Sequence, residues 1–222
     1  MACNASTVTF LTVAPFFCKF NEHFNSLNVF ICLDNRRPKD WRPKHHRPKT
    51  IDYFSTMKTF LIGFMGSGKS TAGKALAAEK GVPFIDSDSW IETQTGKTIP
   101  QIFSEEGEAH FRSLEKAFVA QLDNKPAVVA CGGGLPCFNN LANELKRLGE
   151  VIYLRANPST LILNLEKDQT ERPLLKGLDT KELEQTIAAK LTEREPFYLQ
   201  ADKYIQTDNK TIKQVVEEIL AL

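Results

Sequence analysis

The chain has 222 residues, with 28 Lys and Arg against 27 Asp and Glu, 42% hydrophobic and 25% charged residues, which is the profile of one ordinary globular domain or one with an appendage. A net charge of +1 supplies no basic field for coating nucleic acid, and no apolar run approaches the roughly 20 residues that a bilayer-spanning helix needs. The composition therefore argues against a membrane span and against a nucleic-acid-binding role.

The average conceals two pieces. All 12 glycines lie from Gly63 onward, whereas residues 1–56 hold 3 of the 5 cysteines, 3 of the 4 histidines and 7 of the 15 phenylalanines. Residues 1–56 carry 8 basic and 4 acidic side chains, and residues 57–222 carry 20 and 23, so a charge boundary falls near Met57. The first piece opens with an apolar stretch over 8–18 and continues into a basic tract over 36–49, where Pro38, Pro43 and Pro48 prohibit a continuous helix. We expect this piece to be a mostly disordered extension, with Met57 as the natural start of the working protein. No Lys or Arg precedes Lys19, so it lacks the charged opening of a secretory signal, although an organellar targeting role stays open. Cys3, Cys18 and Cys32 show no metal-ligand spacing, and Cys131 with Cys137 makes no disulfide framework, which favours a reducing cytoplasm.

From Met57 onward short apolar runs alternate with segments of helical period, the pattern of a parallel sheet covered by helices. The first strand is expected at 59–62, followed by a helix at 69–80. Between them Gly63-Phe64-Met65-Gly66-Ser67-Gly68-Lys69-Ser70 satisfies G-x-x-x-x-G-K-[ST]. Glycines at that spacing let successive backbone N–H groups curl around phosphate oxygens at a helix N-terminus. Lys69 would then reach the β and γ phosphates, and the Ser70 hydroxyl would ligate Mg²⁺.

The second strand is expected at 83–85, and Phe84-Ile85-Asp86-Ser87-Asp88 follows it. Two acids two apart on extended chain face one side of a sheet and emerge at its carboxyl edge, where open α/β sheets bind their ligands. One carboxylate would hold Mg²⁺ through water while the other accepts a proton from an attacking hydroxyl. The competing assignment makes Asp88 a helix cap opening 89–95. A helix is expected at 108–122, with Phe111, Leu114, Phe118 and Leu122 as its core-facing stripe. Arg112 lies off that stripe with Glu115 one turn on, a spacing that by itself reads as a solvated ion pair. A third strand at 127–130 leads into Cys131-Gly132-Gly133-Gly134, which lets a ligand approach the backbone directly or serves as a plain flexible turn. Further helices are expected at 140–148, 159–167, 180–193 and 211–220, and strands at 151–154 and 204–206. The polar connection 168–179, carrying Arg172-Pro173-Leu174-Leu175, has the character of a mobile loop. Arg172 and Arg194 taken alone would be surface charges.

Taken together, these motifs resemble the shikimate kinase family, and the likeness covers residues 57–222. The residues that carry it are 63–71, 84–88, Ile102-Phe103 with Phe111-Arg112-Ser113-Leu114-Glu115, 132–134, 172–175, and Arg194-Glu195-Pro196-Phe197-Tyr198. The resemblance implies a P-loop NTPase three-layer α/β sandwich of the nucleoside-monophosphate-kinase type, with five parallel strands in the order 2-3-1-4-5, flanking helices and a mobile lid. It implies that Gly66, Ser67, Gly68, Lys69, Ser70 and Thr71 cradle the ATP phosphates, that Ser70 and Asp86 hold one Mg²⁺, and that Arg172 closes over ATP. It further implies that Asp88 binds the shikimate hydroxyls and acts as base, that Arg112 and Arg194 grip the carboxylate, that Gly133 and Gly134 supply backbone contacts, and that Glu115 supports the substrate-site arginine. Lys69, Asp88 and Arg172 would carry catalysis, with ATP as co-substrate, in a cytoplasmic monomer whose partners are small molecules. The adenine-facing segment 207–210 carries no assignment of contacts.

Two rivals stand beside this reading. A gluconate-type kinase shares the phosphate loop but not the combination of Asp-x-Asp, Phe-Arg-x-x-Glu and Gly-Gly-Gly. A non-catalytic relative kept for partner binding would have lost substrate residues, whereas Asp88, Arg112, Gly133 and Arg194 are all present.

Overall fold

Three strands with largely apolar sequences make the centre of the protein, as strands buried on both faces must, and two partly exposed strands flank them. The computed structural model describes residues 57–167 and 180–222, all within one compact unit. The expected extension over 1–56, the loop over 168–179 and Arg172 lie outside the described residues. In chain order the elements are β1 (Lys58–Ile62), α1 (Lys69–Lys80), β2 (Phe84–Asp86), α2 (Ser87–Thr95), α3 (Ile99–Glu105), α4 (Gly107–Gln121) and β3 (Val128–Ala130), then a 3₁₀ turn (Leu135–Cys137), α5 (Leu141–Leu148), β4 (Gly149–Arg155), α6 (Pro158–Lys167), α7 (Thr180–Tyr198), β5 (Lys203–Gln206) and α8 (Ile212–Leu220).

The strands pair in parallel in the order β2-β3-β1-β4-β5, with Leu61 opposite Ala130 on one side and Ile152 on the other. This is the order the sequence resemblance implies. Alternation along each strand divides the core in two. Phe60, Ile62, Val129 and Tyr153 face Phe118, Leu145, Ile187 and Tyr198 from α4, α5 and α7. Leu61, Val128, Ile152 and Leu154 face Leu76, Val216 and Ile219 from α1 and α8. A third cluster, Ile91, Ile102 and Phe111, sits under α2, α3 and α4. The result is three layers, with β1 central. Its neighbours β3 and β4 leave in opposite directions along the sheet, and this switch point opens a crevice at the strands' carboxyl ends.

Three features depart from the sequence-based expectation. The helix α3 has no counterpart in it; Thr98 caps α3 through a reciprocal box with Gln101, and Pro100 sits in its first turn. The helix α7 runs on to Tyr198 rather than stopping near residue 193. Pro196 forfeits one N–H in the last turn, and Leu199 N still donates to Glu195 O at 2.9 Å. Finally, β2 ends at Asp86 and α2 begins at Ser87, so Asp86 and Asp88 do not share a strand. No helix among the described residues is long and apolar enough to cross a membrane.

Candidate functional site

The turn from β1 into α1 is a cradle of backbone N–H groups. Gly66 and Gly68 take φ +82° and +87°, values other side chains rarely adopt, and this lets the chain coil back before α1 starts at Lys69. Ser67 N donates to Phe64 O at 3.2 Å and closes the turn. Lys69 folds over it, its Nζ donating to Gly63 O and Phe64 O, both at 2.9 Å. The ammonium is thereby held against the turn by two of its own carbonyls. Ser67 Oγ is buried without a hydrogen-bond partner, an orphaned donor inside this cradle.

Beside it, Ser70 Oγ donates to Asp86 Oδ2 at 2.7 Å. The other Asp86 oxygen accepts from Asp88 N at 3.1 Å and Ser89 N at 3.4 Å, so Asp86 is the cap of α2. The cap role considered for Asp88 thus belongs to its neighbour two residues earlier. Asp88 stands in the first turn of α2, where Ser87 Oγ donates to its Oδ1 at 3.3 Å and itself accepts from Gly132 N at 2.7 Å. This stitches the β2–α2 junction to the glycine run after β3. A Cβ built on Gly132 would fall 2.5 Å from Asp88 Oδ1, which explains why the run is bare there.

Arg112 lies on the far side of that run. It is not the solvated ion-pair member that its spacing suggests, because only 9% of it is exposed. Its Nη1 donates to Glu115 Oε2 at 2.7 Å, its Nη2 and Nε donate to Glu108 Oε1 at 2.7 and 3.2 Å, and its guanidinium stacks on Phe138, 3.9 Å from the ring centroid. Gly134 permits this, since a Cβ there would sit 2.5 Å from Nη1. Glu115 is 1% exposed and its Oε1 has no hydrogen-bond partner. Burial pushes its carboxyl up to about 7; Arg112 opposes the rise, Asp88 adds to it and Arg194 opposes it more weakly.

Arg194, the second arginine expected at the surface, is 7% exposed and lies near the Phe64 ring, its Cζ 5.7 Å from the centroid. A Cβ on Gly133 would come within 3.8 Å of its Nη1 and 3.3 Å of Met65 N. The glycine run therefore touches the phosphate cradle on one side and both arginines on the other. Of the site residues expected from sequence, Gly66, Ser67, Gly68, Lys69, Ser70, Thr71, Asp86, Asp88, Arg112, Glu115, Gly133, Gly134 and Arg194 all fall around this crevice, while Arg172 lies outside the described residues.

Sequence reasoning missed Phe138 and Glu108, which hold Arg112, and, in the wall of a second cavity, Asn164 and Ile212; it had named 207–210 as adenine-facing without assigning contacts. A pocket of about 280 Å³ opens beside the phosphate cradle, lined by Ser67, Gly68, Asn164, Thr207, Lys210 and Ile212 among others. Asn164 Nδ2 donates to Gly66 O at 2.8 Å and ties α6 to the cradle. The signal for Thr211, which also lines the pocket, was present: a Thr three residues before Gln214 makes the capping box of α8.

Comparison with known proteins gives one result. The family model described as shikimate kinase matches residues 65–222. A curated shikimate kinase of Chlorobaculum tepidum is 46% identical over 166 residues, 72% of this chain and 86% of its own length. One from Bacteroides fragilis is 41% identical over 155 residues, 69% of this chain and 86% of its own length. The solved structure of a shikimate kinase from Acinetobacter baumannii in complex with shikimate superposes with a TM-score of 0.69 at 36% identity, over 75% of this chain and 93% of that one.

Proposed function

The chain belongs to the shikimate kinase family, and on that premise we propose that it transfers the γ-phosphoryl group of ATP to the 3-hydroxyl of shikimate, giving shikimate 3-phosphate and ADP. The observation that carries this reading is the juxtaposition of two cradles across 132–134: a backbone nest with Lys69 for phosphates, and two buried arginines, Arg112 and Arg194, for a carboxylate. Guanidinium forks match a carboxylate two bonds at a time, so a small anionic acid is the natural occupant of the second cradle. Asp88, between the cradles, accepts hydrogen bonds from the ring hydroxyls and takes the proton of the one that attacks.

In this scheme the triphosphate lies on Gly66, Ser67, Gly68, Ser70 and Thr71, and its base enters the cavity lined by Thr207, Lys210 and Ile212. Lys69 leaves the carbonyls of Gly63 and Phe64 for the β and γ phosphates. Ser70 and Asp86 are oxygen donors 2.7 Å apart, the hard pair that Mg²⁺ takes when waters and phosphates complete its shell. Bound there, the ion would neutralise charge on the phosphate oxygens. Phosphoryl transfer passes through a loose transition state, so positioning and neutralisation by Lys69 outweigh the basicity of Asp88. Arg172 carries the lid role on the strength of its Arg-Pro-Leu-Leu run alone, and its closure would keep water from the γ-phosphate.

Both cradles are built from one chain, which supports a monomer as the working unit. The free thiols of Cys131 and Cys137 support a reducing compartment such as the cytoplasm. A coupled assay offering ATP and Mg²⁺ with either shikimate or gluconate tests the activity. Turnover with shikimate and none with gluconate is expected; the reverse would identify the gluconate-type kinase, and silence with both would leave a binding module.

A further inference from the structure

Arg112 meets two carboxylates of its own helix, and they hold it in different ways. Glu115 is 1% exposed and accepts from Nη1 at 2.7 Å, a contact sealed from water. The Glu108 side chain is 58% exposed, and its Oε1 alone accepts from Nη2 at 2.7 Å and from Nε at 3.2 Å. Nε and Nη2 form an edge of the guanidinium that can take a carboxylate through both of its oxygens at once. Glu108 spans that edge with one oxygen. A guanidinium has five N–H donors, so these contacts leave two, one on each terminal nitrogen. An arriving carboxylate therefore shares the guanidinium with Glu108 or takes its place.

Of the two partners, Glu108 is the displaceable one. It stands in the first turn of α4, directly after Gly107, where the helix N-terminus favours a carboxylate with or without a side-chain partner. An exposed ion pair one helical turn apart contributes little, because water solvates both charges nearly as well. Phe138 stacks on the guanidinium at 3.9 Å and Glu115 anchors Nη1, so the position of Arg112 does not depend on Glu108. We propose that Glu108 is an internal competitor for the acceptor substrate: its carboxylate occupies the Arg112 edge that the shikimate carboxylate takes, and its displacement sets the affinity of the site. The inference rests on the shikimate kinase reading and adds to it a residue outside both cradles. A simple anion that reaches Arg112 alone exchanges one carboxylate contact for another and gains little, whereas shikimate, in that reading, also meets Arg194 and Asp88. The product keeps the same carboxylate, so the same competition hastens its release.

Glu108→Gln removes the charge and keeps the shape of the side chain. Calorimetric titration with shikimate should give a dissociation constant roughly three- to fivefold below that of wild type, the scale of one exposed ion pair. Glu108→Ala should shift it in the same direction, because a competitor is lost in either case. The dissociation constant for ATP should stay within about 1.5-fold in both variants, since the phosphate turn lies across the glycine run from Arg112. An unchanged or raised constant for shikimate in Glu108→Gln, an equal gain for ATP, or a variant that does not fold would each overturn the proposal. Tightening in Glu108→Gln with weakening in Glu108→Ala would make Glu108 an anchor of Arg112 and overturn it too. Wild-type protein that binds no shikimate would instead overturn the functional reading itself, and the wild-type titration distinguishes the two.

Discussion

At the scale of single residues, the two cradles separate what a mutation removes. In the proposed function Lys69 meets charge that develops as the γ-phosphoryl group transfers, so Lys69→Ala should lower kcat by on the order of 10²–10³, as loss of one preorganised donor does elsewhere. Near-normal turnover in that variant would sink the nucleotide assignment. In the same reading Arg112 grips the part of the substrate that does not react, so Arg112→Ala should raise KM for shikimate on the order of a hundredfold and spare KM for ATP. Glu115 gives the site a pH dependence whose sign is fixed. Its pKa stands raised from 4.5 to about 7, so its contribution to stability is full below its ordinary value and is lost as pH rises through about 7. A second anion arriving on Arg112 pushes that carboxyl higher still, and by linkage the protonated form must bind shikimate better. Titrating affinity from pH 6 to 8.5 should therefore show roughly three- to tenfold weakening, flattened in Glu115→Gln. An upward trend in affinity with pH would contradict it.

At the scale of elements, the proposed function asks one side chain to serve a helix and a metal at once. Asp86 caps α2 with one oxygen and accepts from Ser70 with the other. Asn caps helices about as well as Asp but brings no charge, so Asp86→Asn should keep Tm within about 2 °C and still lose most Mg²⁺-dependent activity. Asp86→Ala should lose the activity and about 1 kcal/mol of stability as well. Equal thermal stability in the two variants would remove the cap from this account. The same junction shows what was legible beforehand. Strands such as Phe60-Leu61-Ile62 and Val128-Val129 announce themselves by apolarity alone, because both faces of a parallel strand are covered. The helix weighed over 89–95 ends where α2 does but starts two residues late, because Asp86 rather than Asp88 is the cap; α3 is too short to show a periodic stripe, and its one sequence signal, the Thr98-x-x-Gln101 box, went unread. The burial of Arg112 was not legible: its ion pair with Glu115 has ordinary surface spacing, and only Gly134 and Phe138, distant in sequence, cover it.

At the scale of the whole molecule, the question is whether the kinase needs residues 1–56. Central strand β1 begins at Lys58, whose buried ammonium is satisfied by the carbonyls of Asp123 and Lys125, with Asp123 Oδ1 at 3.2 Å. Both neighbours of β1, β3 and β4, are already in place, so no edge of the central strand waits for another chain segment. Among the described residues the buried side-chain atoms left without a hydrogen bond are Ser67 Oγ and Glu115 Oε1, one in each cradle. Ser67 belongs to the turn before α1, and Glu115 pairs with Arg112 through its other oxygen. A chain starting at Met57 should accordingly match the full-length protein in kcat/KM for shikimate within about twofold and in Tm within about 3 °C, the range of changes away from core and caps. Its net charge should swing from +1 to −3, since 20 basic and 23 acidic side chains remain, and it should leave a cation exchanger at lower salt. A tenfold loss of kcat/KM on truncation would place the basic extension inside the catalytic unit, and the charge boundary near Met57 would then mark a change of composition within one working domain.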